Sequence, residues 1–450
     1  MLHQLTPDQE SLRETTARFL SDKVSTAALR SLRDDAQGFA DDYWRQGVEL
    51  GWTHLLVDER LGGGSASGDG VVDLTLLAYE FGRRAAPGPL LVNAVVAGAL
   101  SDAAAHDRGE HDRGAHDDVV AGLLDGRNLA TWAFLDRPRS DELGPSELTV
   151  RVEGDELVLD GVKRPVESAA RATHMLVTGT SGQGAHLQGP TQVLVPTDAP
   201  GVEITPMRQV DLTRRFDRVT FDGVRVGLDS LVGGLGTAGP DVQRQLRRAL
   251  VLAAAESVGA MQTAFDMTLE WTRDRYSFGR PLAAYQAIKH RMAHMATWLE
   301  ASHAIADEAA RATADEAARA TADEASHAIA DEAARATADE VARATADEVA
   351  RATADDAAPA YADKLASAAA AYIGDQGSEL LQECVQFHGG IGVTFEHDLH
   401  LFLRRHTLNR ALWGTPAEHR RRIAAALAAE ARRSEHASDA GHARNQGRAA

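Results

Sequence analysis

The stretch Arg273–His294, RDRYSFGRPLAAYQAIKHRMAH, predicts two helices joined by a turn. An alanine-rich helical run precedes it, and the turn is the segment Ser277–Pro281. Proline has no N–H to donate, so Pro281 suits the start of a helix better than its middle. After the turn, apolar residues recur at intervals of three and four, which predicts one buried helix face: Tyr285, Ile288, Met292 and Met295.

A second stretch of the same character is Gln386–Arg405, QFHGGIGVTFEHDLHLFLRR. It predicts the end of one helix, a Gly-Gly-x-Gly turn and the start of another helix. Glycines at 389, 390 and 392 allow the backbone to approach a diphosphate closely, and Arg275 in the first stretch offers it a fixed positive charge. The alternative is an ordinary turn of a helical bundle whose surface charges are satisfied locally.

Together the two stretches resemble the paired signatures of the acyl-CoA dehydrogenase family. The first is similar to the family's Arg-x-x-Phe-Gly segment with its later Gln, and the second to its Gln-x-x-Gly-Gly-x-Gly segment. The resemblance implies a mainly α-helical chain with a central β-domain. We expect an N-terminal helical domain over 1–122, a middle β-barrel or β-sandwich domain over 123–234, a C-terminal four-helix-bundle domain over 235–430 and a disordered tail over 431–450.

Composition narrows the classes of function. The chain has 66 acidic and 47 basic residues, and the resulting net charge of −19 argues against nucleic-acid binding. An anionic ligand such as coenzyme A would therefore need a local basic patch. The single cysteine, Cys384, excludes a disulfide framework and fits a reducing compartment. The polar N-terminus is unlike a signal peptide and no apolar run approaches membrane-spanning length, so we expect a cytoplasmic protein without membrane insertion.

A repeat dominates the segment Ser302–Leu365, which consists of eight copies of an eight-residue unit. Eight residues advance a helix by roughly 80° beyond two full turns, so an apolar face does not persist along it. The sequence therefore predicts a solvated helix, inserted over 302–357, without a chemical role. The block Ser302–Ala325 is itself nearly duplicated by the residues that follow, and its deletion is predicted to leave folding and flavin content intact.

The resemblance also implies chemistry: FAD-dependent α,β-dehydrogenation of an acyl-CoA, in which a glutamate removes the α-proton and the flavin accepts a hydride. It implies an electron-transfer flavoprotein as a further partner. A flavin site shared between subunits implies a homo-oligomer or a heterotetramer with a related subunit. By position, the implied FAD contacts are Arg275, Ser277, Phe278 and Gln286 from one subunit, Gln386, Gly389 and Gly390 from a neighbour, and Thr415 near the diphosphate.

The proton-abstracting base departs from the family pattern. Most relatives carry it in a Tyr-Glu-Gly-Thr string, and here that glutamate position is occupied by Trp413. A minority of relatives carry the base on the helix before the first signature, where this chain has Ala249. Glu256, seven residues further along, lies on the same helix face and is the candidate base. A buried structural glutamate is the competing interpretation.

The segments that contact the flavin ring in the family are altered as well, to Leu135–Pro138 and Pro165–Glu167. Two functions therefore stay open. The chain is either a dehydrogenase of fatty-acid or steroid side-chain degradation acting with Glu256, or a base-deficient subunit that completes the flavin site of a catalytic partner. His397 and His400 lack a third ligand, so no metal site is predicted. The acyl group is not determined by the sequence.

Overall fold

The computed structural model describes residues 5–107, 114–136, 146–181, 189–334 and 357–446. The chain is mainly helical and has a β-sheet in its middle, as the sequence predicted. The first part is a layer of helices that packs on the later bundle. Its helices are α1 (Pro7–Lys23), α2 (Thr26–Ser31), α3 (Asp41–Glu49), α4 (Gly70–Arg84), α5 (Leu90–Asp107) and α6 (Asp117–Leu124).

The β-region forms one sheet in the order β6-β7-β3-β2-β4-β5-β8, and β1 pairs with β4. Both β1 and β2 run parallel to β4, whereas the other pairs are antiparallel. Alternate side chains of the central strands form a core of their own, with Val177, Val193 and Val219 fully buried. The strands are β1 (Ala130–Ala133), β2 (Thr149–Glu153), β3 (Glu156–Glu167), β4 (His174–Ser181), β5 (Gly189–Pro196), β6 (Val202–Pro206), β7 (Phe216–Gly227) and β8 (Leu231–Val232).

The last part is a bundle of long helices. Between the first two of these helices, the predicted turn is a small hairpin, so the second helix begins at Gln286 and not at Pro281. Pro281 instead closes the hairpin, where its missing N–H is not needed for a helix. The elements are α7 (Gly239–Asp274), β9 (Tyr276–Ser277), β10 (Arg280–Pro281), α8 (Gln286–Ala334), α9 (Ala357–His388), α10 (Leu399–Asn409) and α11 (Pro416–Gln446).

Helices α4 and α7 approach each other at two glycines. A Cβ atom at Gly82 would lie 1.8 Å from the backbone oxygen of Glu256, and a Cβ atom at Gly259 would lie 2.0 Å from that of Tyr79. Any larger residue at either position would push the helices apart, because real Cβ contacts are never so short. This close approach places Glu256 in the centre of the molecule, where its side chain is buried.

The beginning of the repeat is part of the core, which the sequence did not predict. Ser302, Ala309 and Thr313 are fully buried, and Arg247 of α7 forms an ion pair with Glu316 at 2.6 Å. The prediction of a solvated helix is therefore wrong for 302–316. Small side chains at three- and four-residue spacing form a stripe along which helices pack closely, and Ile305 packs against the same core. Residues 335–356 of the predicted insertion lie outside the described residues.

Deletion of Ser302–Ala325 is still expected to leave a folded, soluble protein, but for a different reason. The 24 residues that follow differ from this block at only two positions, so the deletion joins an equivalent stripe to Ala301. Deletion of Ser302–Val349 removes both copies and should abolish soluble expression or lower the melting temperature strongly. Thermal unfolding of both variants tests this. Equal stability of the two would show that the stripe is dispensable.

The last helix continues to Gln446 and so includes most of the segment 431–450, which was expected to be a disordered tail. Few helix-breaking residues interrupt this alanine- and arginine-rich segment. In the described part of the chain, no helix is both long and apolar enough to span a lipid bilayer.

Candidate active site

A buried ionic cluster joins the β-region to the helical bundle. Arg405 of α10 contacts Asp211 at 2.5 Å and Glu256 of α7 at 2.6 Å. Arg214 contacts the second oxygen of Glu256 at 3.2 Å and forms a two-pronged pair with Glu167 at the end of β3. We call these residues, each with a side chain no more than 2% exposed, the ionic cluster: Glu167, Asp211, Arg214, Glu256 and Arg405.

Further hydrogen bonds connect the ionic cluster to neighbouring side chains and backbone. Asn409 donates to Glu256 Oε2 at 2.7 Å and accepts from Arg214 at 3.1 Å. Arg405 also donates to the backbone oxygen of Ala86 at 2.9 Å, which ties in the N-terminal helices. Buried charges are tolerated when they are paired and hydrogen-bonded in this way. The cluster therefore holds three parts of the fold in one arrangement.

Burial and neighbouring charges shift the pKa values of the ionic cluster in opposite directions. Burial acts to raise the pKa of Asp211, but Arg405 and hydrogen bonds hold it below its ordinary value. For Arg405, burial acts to lower the pKa, and the carboxylates of Asp211 and Glu256 raise it above its ordinary value. Burial raises the pKa of Glu167 despite its pairing with Arg214. The two guanidinium groups thus stay charged and contact three acidic side chains.

The positions expected to carry a proton-abstracting base hold no free carboxylate. Ala249 and Trp413 are buried and apolar. Both carboxylate oxygens of Glu256 accept hydrogen bonds, one from Arg405 and the other from Arg214 and Asn409. The cavity beside them, between α7, α9 and α10, measures about 20 Å³ and has room for about one water molecule. An acyl chain would not fit there in this conformation.

The segments expected at the flavin ring form ion pairs with other residues of the same chain. In the segment 165–167, Glu167 belongs to the ionic cluster. In the other segment, Asp136 accepts from the buried Lys163 Nζ at 2.6 Å, and burial lowers the pKa of that lysine to about 8. Residues 137 and 138 lie outside the described residues. The carboxylates of Asp136 and Glu167 are therefore already committed to internal partners.

The residues expected at the cofactor diphosphate lie together at one end of the bundle. Trp271 near the end of α7 donates to the backbone oxygen of Phe387 at 3.1 Å and stacks on His388, which joins the two signatures. Nothing lies within 4 Å of a Cβ atom built at Gly389 or Gly390, so this backbone is open to a ligand. The expected contacts at this end are exposed or half-buried: Arg275, Ser277, Phe278, Gln286, Gln386, Gly389 and Gly390.

This end of the bundle, which we call the diphosphate end, is far from the ionic cluster. Arg275 follows Glu256 by 19 residues along one continuous helix, a distance of about 28 Å at 1.5 Å per residue. That separation exceeds the span from the diphosphate of a flavin nucleotide to its ring. A single cofactor therefore cannot contact both the diphosphate end and the ionic cluster of one chain.

Thr415 lies apart from the diphosphate end, at the start of α11. Its hydroxyl accepts from the backbone N–H of Glu418 at 3.3 Å, and Glu418 accepts from the backbone N–H of Thr415 at 3.2 Å. This reciprocal pair is a helix capping box. The structure thus gives Thr415 a local structural role, and its expected contact with a diphosphate stays a prediction.

Sequence reasoning overlooked Arg214, Asp211 and Arg405 as members of a central cluster. Two of them lie in arginine doublets, Arg214-Arg215 and Arg404-Arg405, within otherwise apolar or β-type surroundings. These doublets could have indicated the ionic cluster, because a buried arginine requires carboxylate partners.

Comparison with known proteins agrees with the fold. Residues 6–107 match the family model of the acyl-CoA dehydrogenase N-terminal domain, and residues 237–341 and 325–428 match that of the C-terminal domain. Acyl-CoA dehydrogenase IpdE2 of Mycolicibacterium smegmatis is 24% identical over 427 residues, which cover 94% of this chain and 99% of the relative. Residues 325–341 match the C-terminal model twice, as expected for an expanded repeat.

Two solved structures share the fold over nearly the whole chain. The ChsE4-ChsE5 complex from Mycobacterium tuberculosis is similar with a TM-score of 0.72 and 20% identity, over 95% of this chain and 99% of that one. Glutaryl-CoA dehydrogenase from Mycobacterium smegmatis in complex with FADH2 is similar with a TM-score of 0.71 and 17% identity, over 94% and 95%.

The fold is that of a flavoprotein oxidoreductase. It consists of a helical layer, a central sheet and a bundle of long helices with the two signatures at one end. The chain belongs to the acyl-CoA dehydrogenase family. It is accordingly an oxidoreductase that acts on acyl-CoA thioesters.

Proposed function

We propose that this chain takes part in acyl-CoA dehydrogenation as a base-deficient subunit of a mixed oligomer. Its diphosphate end completes the FAD site of a catalytic neighbour, and that neighbour supplies the glutamate that removes the α-proton. When bound, the flavin supplies the hydride acceptor of the reaction. Arg275 contributes a charge-assisted contact to the diphosphate, and Gly389 and Gly390 let the backbone approach it.

The observation that supports this function most directly is the state of Glu256. A general base must be within hydrogen-bond reach of the proton it removes and must be free to accept it. Both oxygens of Glu256 are instead bound by Arg405, Arg214 and Asn409. Glu256 is also the acid of the ionic cluster that contacts both arginines, so moving it towards a substrate would break both contacts.

The second candidate is the homo-oligomeric dehydrogenase that uses Glu256 as its base. Its support is the position of Glu256 on α7, one face of which also carries Ala249. It would require the ionic cluster to open and the small neighbouring cavity to expand when substrate binds. The two-component name of the ChsE4-ChsE5 structure favours the mixed oligomer as the first candidate to test. An electron-transfer flavoprotein is the proposed acceptor of the electrons in either case.

Flavin binding and reduction separate the two candidates. We expect the chain purified alone to show no bleaching of flavin absorbance with acyl-CoA substrates of varied bulk. Co-expression with a related subunit that carries its own glutamate should restore bleaching. Bleaching by this chain alone, at the rate of the mixed oligomer, would contradict the proposal.

Arg275→Ala in the mixed oligomer is expected to weaken FAD retention by about 1.5–3 kcal/mol, the value of a hydrogen bond to a charged group. Equilibrium dialysis with FAD measures this change. Arg273→Ala is the matched control, because Arg273 is also exposed and lies in the last turn of α7. Equal loss of FAD from both variants would indicate a general electrostatic effect and not a diphosphate contact.

A further inference from the structure

A cavity of about 400 Å³ lies beside the ionic cluster, between the N-terminal helices, the loop before β7 and α10. Four of its lining residues are arginines, in a chain whose net charge is −19. Two carboxylates also line it, and one of them, Asp211, is already paired with Arg405. We call it the arginine cavity, and its arginines are Arg33, Arg208, Arg215 and Arg404.

Two of the arginines are fixed by the backbone. Arg215 donates to the backbone oxygens of Asp35 at 2.8 Å and Leu212 at 3.1 Å, and Arg404 donates to that of Val210 at 3.0 Å. Carbonyl groups hold these guanidinium groups in place without cancelling their charge. Burial lowers the pKa of Arg215, against the opposing effect of the Asp35, Asp211 and Asp217 charges. The cavity thus has a rigid positive wall.

The other two arginines keep their donors available. Among the described residues, no ion pair or hydrogen bond engages the side chain of Arg33 or Arg208. Arg33 lies over the ring of Phe395 with 5.0 Å from its guanidinium carbon to the ring centroid, and Arg404 approaches the same ring at 5.8 Å. Guanidinium forks of this kind match the oxygens of a phosphate group.

One of the lining residues, Gln209, has a buried acceptor without a partner among the described residues. The side-chain oxygen of Gln209 is buried and has no donor among the described residues, while its amide nitrogen donates to the backbone oxygen of Arg214 at 2.9 Å. That bond fixes the orientation of the amide. A ligand that satisfies Gln209 must therefore bring a hydroxyl or amino donor as well as negative charge.

We propose that the arginine cavity is a binding site for a phosphate ester of nucleotide size that carries a hydroxyl or amino donor. The volume lies within the range of pockets for small organic ligands and is much larger than a single phosphate needs. Arg33 and Arg208 bind the phosphate, and Gln209 accepts from the sugar or base. A free nucleotide and the phosphorylated adenosine portion of coenzyme A share this chemistry. The site is independent of the proposed lack of a base.

Isothermal titration of the purified chain, alone and in the mixed oligomer, tests the site with four probes: adenosine 3′,5′-bisphosphate, ADP, inorganic phosphate and adenosine. We expect both nucleotides to bind, adenosine not to bind, and inorganic phosphate to bind at least about tenfold more weakly. Tighter binding of the 3′,5′-bisphosphate identifies the coenzyme A portion as the source, and tighter binding of ADP identifies a free nucleotide.

Arg33→Gln and Arg208→Gln should each weaken nucleotide binding by about 10–100-fold, since each removes charge-assisted hydrogen bonds. Gln209→Met should weaken nucleotide binding but leave inorganic phosphate unaffected. Arg127→Gln is the control, because Arg127 is an exposed arginine that pairs with a nearby surface aspartate, Asp125. Melting temperatures confirm that each variant is folded.

Three outcomes would overturn the site. Inorganic phosphate binding as tightly as the nucleotides would reveal a general anion patch. Unchanged affinity in both arginine variants would place the ligand elsewhere. Loss of nucleotide binding when the partner subunit is added would show that this face is a subunit interface.

Discussion

Arg405→Met is expected to destabilise the protein by about 3–5 kcal/mol, the typical cost of removing one partner of a buried ion pair. The substitution keeps much of the side-chain volume but leaves Asp211 and one oxygen of Glu256 without a cation. Burial would then raise the pKa of Asp211, which Arg405 now holds down. Urea denaturation of purified wild type and variant, followed by fluorescence and circular dichroism, measures the difference.

Arg410→Met is the matched control on the same helix region. Arg410 pairs with Asp375 at 3.2 Å, but its side chain is 44% exposed, and exposed pairs contribute about 0–1 kcal/mol. Combining Arg405→Met with Glu256→Gln should recover part of the lost stability, because it removes one of the stranded charges. A cost below about 1 kcal/mol for Arg405→Met alone would show that the ionic cluster does not hold the domains together.

Glu256→Gln is expected to leave the rate of flavin reduction in the mixed oligomer within about twofold of wild type. Replacing the glutamate of the catalytic partner should instead lower that rate by about 10²–10⁴-fold, as is typical when a general base is removed. The contrast follows from geometry, because Glu256 is held by Arg405, Arg214 and Asn409, and the cavity lined by Asn409 measures only about 20 Å³. Stopped-flow bleaching per bound flavin measures both rates.

Expressing the rate per bound flavin separates an effect of the substitution on catalysis from an effect on stability. Glutamine is uncharged and satisfies Arg214 and Arg405 less well, so the variant is expected to melt at a lower temperature. Ser257→Ala provides a control for small changes on the same turn of α7, where Asn409 reaches Ser257 at 3.3 Å. A loss of 10²-fold or more in Glu256→Gln, with flavin content unchanged, would favour the homo-oligomeric dehydrogenase.

The eight-residue period of the repeat led to the wrong prediction that residues 302–316 are solvated. Its eight-residue unit drifts around a helix, which correctly predicts that no long apolar face persists. Burial of Ala309 and Thr313 needs only two or three turns of small residues against a neighbouring helix, and a short stripe survives the drift. Which part of the repeat packs is decided by its neighbours, α4, α7 and α9, and not by the unit itself.

The sequence alone determined the family, the succession of helical, β and helical parts, and the two turns at the diphosphate end. Each depends on local chemistry: a hydrophobic period, a proline or a glycine at a fixed spacing. It also identified Trp413 and Ala249 as residues that are not bases, because residue type is enough for that conclusion. Only the tertiary structure decided the surroundings of Glu256. Its partners Arg214 and Arg405 are 42 and 149 residues away in the chain, and such long-range pairing leaves no periodic trace in a single sequence.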